Sequence, residues 1–171
     1  EDFGIALDKY GTVYGWGRNE NGEIGSENIG EDILRPVEYA KISEKVVSIN
    51  AGKDQSIFVM QNGKVLGFGN ILQGEMANME KAVKVEEMDG VLYVLTTEGE
   101  VYKYTKVLGI GTLSKLAIEN VIDIEGCNEG LLIQTANKET YCLGNNTNGE
   151  LSMNNKANVS TPTKVYSHGD D

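Results

Sequence analysis

Apolar and polar positions along this chain fall into a pattern that recurs. Phe3 to Gly17 (FGIALDKYGTVYGWG), Gln55 to Gly69 (QSIFVMQNGKVLGFG), Val91 to Thr105 (VLYVLTTEGEVYKYT) and Gly130 to Gly144 (GLLIQTANKETYCLG) align without a gap as fifteen-residue blocks. Each is an apolar run, a polar turn and a second run rich in β-branched and aromatic residues, which predicts a hairpin of two antiparallel strands. The turn glycine recurs as Gly11, Gly63 and Gly99; Lys138 takes its place in the fourth block and predicts a longer or strained turn there. In the second strand Val13, Gly15 and Gly17 share one face, and Tyr14 and Trp16 share the other. Phe68, Tyr104 and Leu143 match Trp16, so a large residue recurs where packing between adjacent sheets requires one. An exposed binding aromatic is the alternative for Trp16.

Another strand precedes the hairpin, at Val46 to Gly52 and again at Asn120 to Gly126. Before it comes a shorter piece opened by proline, Arg35-Pro36-Val37-Glu38-Tyr39, echoed by Thr161-Pro162-Thr163-Lys164-Val165. Proline cannot donate to a sheet ladder, so both pieces belong at a periphery. Each repeat then holds four short antiparallel strands, which is one propeller blade. The fold class is all-β: blades of four-stranded antiparallel sheets, as a partial propeller of about four blades or half of a larger ring. The single domain divides into pieces 1–35, 36–80, 81–113 and 114–160, with the start of a further blade at 161–171. Downstream of the hairpins, Gly17 to Ile24, Gly69 to Met76 and Gly144 to Leu151 share the form G-x4-G-E-[I/L/M]. In the third repeat Val107-Leu108-Gly109-Ile110-Gly111 fills that loop instead.

Composition suits this reading, since 21 glycines against 2 prolines in 171 residues fit a chain of many tight turns. A net charge of −11 argues against duplex nucleic acid or an anionic membrane as partner. No stretch approaches the roughly 18 apolar residues that span a membrane. The chain opens on Glu1-Asp2 and a strand, as a mature domain or a piece of a longer protein would, and its compartment stays open. Cys127 and Cys142 are separated by a predicted strand, about 10 Å, and are expected to be free thiols.

Little in the chain points to catalysis, a cofactor or a metal. The single histidine, His168, lies in the polar tail, so neither a Ser-His or Cys-His pair nor a multi-histidine site arises within the repeats. Asn19 to Glu23 lacks the acidic spacing of a calcium loop, and Gly15-x-Gly17 lacks the helix a phosphate loop needs. Glu86-Glu87 and Asp170-Asp171 read as solvated carboxylates in a connector and the tail, away from any pocket.

The motifs resemble the regulator-of-chromosome-condensation repeat, whose consensus runs roughly P-x-x-V, I-x-A-G, H-S-L-A-L, D-G-x-V-Y-x-W-G and N-x-x-G-Q-L-G. Pro162 to Val165, Ile49 to Gly52, Ser56 to Val59, Gly11 to Gly17 and Asn19 to Gly25 carry the likeness, with Tyr39 standing where the family has valine. The histidine of the family's H-S-L run is replaced by Phe3, Gln55, Val91 and Gly130. The resemblance implies seven-bladed β-propellers, yet this chain holds three complete units and end fragments. A C-terminal strand docking beside the N-terminal hairpin to close four blades is one outcome. Others are excision from a longer propeller and self-association of half-propellers into a ring of about eight blades.

The expected function is a non-catalytic protein-protein interaction scaffold, without cofactor or metal, contacting a protein partner through blade-connecting loops. The candidate residues are Arg18, Asn19 and Glu20, then Asn70, Ile71, Leu72 and Gln73, and finally Asn145, Asn146, Thr147 and Asn148. The resemblance also implies two alternatives, guanine-nucleotide exchange on a small GTPase and inhibition of an enzyme by occupying its active site.

Overall fold

The computed structural model describes residues 3–25, 29–39, 42–127, 130–144 and 159–165. These residues form 15 strands in four antiparallel sheets, and none of them is helical. The first sheet contains β1 (Phe3–Leu7), β2 (Val13–Gly17) and β3 (Ile33–Glu38). The second contains β4 (Val46–Ala51), β5 (Gln55–Met60), β6 (Val65–Gly69) and β7 (Gly74–Glu75). The third contains β8 (Ala82–Met88), β9 (Val91–Thr96), β10 (Val101–Val107) and β11 (Ile110–Lys115). The fourth contains β12 (Val121–Cys127), β13 (Gly130–Thr135), β14 (Thr140–Gly144) and β15 (Val159–Lys164). Strands neighbour one another in chain order within every sheet, the meander of a propeller blade.

A central strand buried on both faces supplies residues to two interfaces in alternation. Phe58 and Met60 of β5 join Val13, Ile24 and Tyr39 between the first and second sheets, while Ile57 and Val59 join Leu92 and Val94 between the second and third. Leu131 and Ile133 pack with Tyr93 and Leu95 between the third and fourth. Full burial of each such side chain contributes about 1.5–3 kcal/mol, so the stacking of sheets holds the fold together. Tyr39, where the resemblance calls for valine, is buried; its ring stands edge-on to Phe58 at 4.9 Å and its hydroxyl donates to the Glu23 carbonyl at 2.6 Å. Gly15 leaves the room, since a Cβ there would lie 2.7 Å from the Tyr39 ring.

Each hairpin turn closes on a residue with positive φ: Gly11, Gly63, Gly99 and Lys138. The fourth turn is strained rather than longer, with Lys138 at φ 63° donating its N–H to Thr135 O as Gly99 donates to Thr96 O. The connector to the next sheet crosses the three glycines: Lys45 lies against Gly11, Glu80 and Lys81 against Gly63, and Asn120 and Val121 against Gly99. Among the described residues no such connector follows the fourth turn, and a side chain fits there.

Three expectations change. The proline strands close their sheets instead of opening the next ones: β3 pairs with β2, and β15 pairs with β14. Proline sits at a periphery because the outermost strand leaves one edge unpaired, but 161–164 complete the fourth sheet and do not dock beside the N-terminal hairpin. In the third repeat the expected loop is a hairpin, β10–β11, whose two-residue turn has both Leu108 (φ 50°) and Gly109 (φ 80°) in the left-handed region. Finally, Phe68 and Leu143 are buried between sheets, while Trp16 remains 37% exposed because its sheet has no described neighbour on that side. Cys127 and Cys142 are free thiols with β13 lying between their strands.

Candidate interaction face

Antiparallel order places the β4–β5, β8–β9 and β12–β13 turns on the same edge of the sheets as the segments leaving β2, β6 and β10. The described loop residues singled out from the sequence therefore share one face, with unequal roles. Asn19 is buried and its Oδ1 accepts from Ile24 N at 3.0 Å, and Leu72 belongs to the core between the second and third sheets. These two shape their loops. Arg18 clasps the second sheet, its Nη2 reaching Asp54 Oδ1 at 2.6 Å and the Lys53 carbonyl at 3.2 Å, with buried Glu23 at 3.8 Å. Asp54 raises the already high Arg18 pKa through this hydrogen bond. Glu20, Asn70 and Gln73 are exposed and Ile71 is half-buried. Gln55 holds the second loop open by accepting from Ile71 N and Leu72 N at 2.8 and 2.9 Å and donating to Leu72 O. Asn145, Asn146, Thr147, Asn148 and His168 lie outside the described residues.

Asn70 and Ile71 help to line a cleft of about 740 Å³ that spans the second, third and fourth sheets. Its remaining wall comes from the ends of the inner strands, with Asn50, Lys53, Asp54, Glu86, Glu87 and Asp89 the polar and charged residues. Glu86 and Glu87 are thus not in a connector away from any pocket: both belong to β8 and both face this cleft. Chain distance conceals this, because the wall is assembled from three repeats. Glu86 Oε2 accepts from Asn50 Nδ2 at 3.1 Å, across to the second sheet. A Cβ on Gly126 would lie 3.1 Å from the same oxygen, and one on Gly52 would lie 2.8 Å from the Glu87 carboxyl carbon. These glycines let neighbouring blades close against the carboxylates.

Charge on this wall is unbalanced. Lys84 serves three carboxylates, Asp123 at 3.1 Å, Glu125 at 3.0 Å and Glu86 at 3.7 Å. Burial raises the Glu86 pKa from the ordinary carboxylate value; Lys84, Asn50 and the Gly126 backbone N–H oppose the shift and Glu125 adds to it. Among the described residues no group of three or more His, Cys, Asp or Glu is placed to hold a metal ion.

The β10–β11 hairpin rises from the same edge. Pairing of β10 with β9 ends at Tyr104↔Leu92, while pairing with β11 continues to Val107↔Ile110. Three residues of ribbon therefore project beyond the sheet, about 10 Å at 3.4 Å per residue. Val107, Leu108 and Ile110 at its tip are 65%, 98% and 70% exposed. The signal for it in the sequence is the trio of aliphatics around Leu108-Gly109, where the first and fourth repeats have polar loops. A second cleft of about 730 Å³ lies on the opposite face around Lys115 to Asn120.

The regulator of chromosome condensation (RCC1) repeat family matches residues 10–59. Rho GTPase-activating protein gacGG of Dictyostelium discoideum is 31% identical over 91 residues, covering 53% of this chain and 8% of that protein. The Homo sapiens protein Regulator of chromosome condensation is 27% identical over 129 residues, covering 66% of this chain and 30% of that protein. Among solved structures, Prp20p from Saccharomyces cerevisiae, described with its binding to Gsp1p and histones, superposes with a TM-score of 0.84 at 19% identity. That match covers 99% of this chain and 49% of Prp20p. The chain therefore spans under a third of these curated relatives and half of the propeller it overlays.

Proposed function

For a chain of regulator of chromosome condensation repeats folded as part of a propeller, we propose a non-catalytic protein-interaction scaffold whose working face carries the cleft and the β10–β11 hairpin. The carrying observation is the hairpin tip, where three large aliphatic side chains stand in solvent on a paired two-stranded ribbon and belong to none of the core clusters. Loops on a rigid frame are where recognition concentrates. Glu20, Asn70, Ile71 and Gln73, in the segments leaving β2 and β6 on the same face, are further contact residues in this reading, and Asn145 to Asn148 stay candidates from their place in the sequence.

The test is affinity capture of a partner from extracts of the source cells, comparing the native chain with Leu108→Asn plus Ile110→Thr and with Gln61→Ala on the opposite face. Loss with the tip variant alone supports the reading; equal capture by all three removes it. The narrower alternatives are separated afterwards. If the captured protein is a small GTPase, release of a bound fluorescent nucleotide tests exchange; if it is an enzyme, its inhibition is measured.

A further inference from the structure

Resting on that reading, we propose that the partner presents a basic, partly apolar segment: a Lys or Arg side chain enters the cleft beside Glu86, Glu87 and Asp89, and neighbouring apolar side chains cover Val107, Leu108 and Ile110. Two independent features lead there. The first is Leu108 itself. A two-residue turn with both φ values positive favours Asn or Asp at its first position, and a leucine there is strained. At 98% exposure Leu108 gains nothing from the fold in return. A residue that breaks the local rule without internal compensation is explained by a contact made outside the molecule.

The second feature is the charge deficit beside it. The Glu86 side chain is only 14% exposed, and its nearest cation, Lys84, is closer to Asp123 and Glu125. Asp54 is taken by Arg18, and among the described residues Lys53 is the one cation lining the cleft, against Glu86, Glu87 and Asp89, so the wall stays net negative. A carboxylate held largely out of water favours a paired cation, and a partner's Lys or Arg completes the set. The two features are within one segment's reach. The cleft's β8 wall and β10 are two strand spacings apart, about 10 Å, and the tip stands about 10 Å higher, so about five extended residues connect them. The −11 net charge steers a basic partner toward the molecule.

The probe is a fluorescein-labelled peptide of alternating Lys and Leu, compared with its Glu-Leu counterpart by fluorescence anisotropy at low and high salt. The native chain is expected to bind the lysine peptide at least about tenfold more tightly at low salt. Glu87→Gln with Asp89→Asn is expected to remove most of that preference, and Leu108→Asn to weaken the lysine peptide several-fold while leaving the protein at least as resistant to urea. Equal affinity for both peptides, no binding of the lysine peptide, or unchanged binding by the charge variant overturns the proposal. The interaction reading survives those results if capture of the cellular partner still depends on the tip; both fall if Leu108→Asn with Ile110→Thr leaves capture intact.

Discussion

Replacing Gly63 by alanine tests the idea that blade stacking, not the hairpin alone, sets the turn residue. Gly63 has φ 81°, and a Cβ there would lie 2.7 Å from the Glu80 carbonyl carbon and 3.1 Å from Lys81 Cα, both backbone atoms of the crossing connector. The left-handed conformation costs an alanine about 1–2 kcal/mol. Displacing a packed backbone adds about 1–3 kcal/mol. That displacement also strains the Ala82 N to Gly63 O bond at 2.9 Å, which anchors the third sheet to this turn. The expected loss is about 2–5 kcal/mol, measured as a drop in urea midpoint at unchanged slope. Lys138→Gly is the reciprocal variant: it relieves the same backbone strain where no described connector crosses, and is expected to stabilise by up to about 1 kcal/mol. A Gly63→Ala loss below about 1 kcal/mol, or effects of one sign and size at both sites, refutes the reasoning.

Tyr39→Phe is expected to cost about 1 kcal/mol in urea unfolding, since it leaves the buried Glu23 carbonyl to the Ser56 hydroxyl alone; no change means that bond adds nothing net. For Glu86, the folded protein holds the carboxyl proton more tightly than the unfolded chain, so its contribution is most stabilising below the ordinary carboxylate pKa and is lost as pH rises through the raised value. Glu86→Gln should raise the urea midpoint at pH 7 and flatten its dependence across that window, and a lowered midpoint contradicts the assignment. A thiol reagent should label half-exposed Cys127 first and reach Cys142, buried and with its thiol pKa pushed up by burial, only on unfolding. Equal rates in the native protein count against the described packing.

Periodicity in the chain was enough to identify the hairpins and the strands before the second and fourth of them, because these follow from local alternation and turn chemistry, and the recurring motifs carried the likeness to the repeat family; β8, before the third hairpin, was not legible. Even the strain at Lys138 was legible, since a lysine stands in a column of glycines. Which sheet a strand joins was not: Pro36 and Pro162 mark an edge, and an edge looks the same in sequence whether it opens a blade or closes one. The same limit hid the cleft. Asn50, Glu86 and Gly126 sit 36 and 40 residues apart along the chain and meet only because successive inner strands stack side by side, so charge pairing, desolvation and the shape of the wall are properties of that stacking. Local pattern determines the blade, whose bonds are short-range in sequence; the face it offers to a partner is decided by contacts between blades, which no single repeat contains.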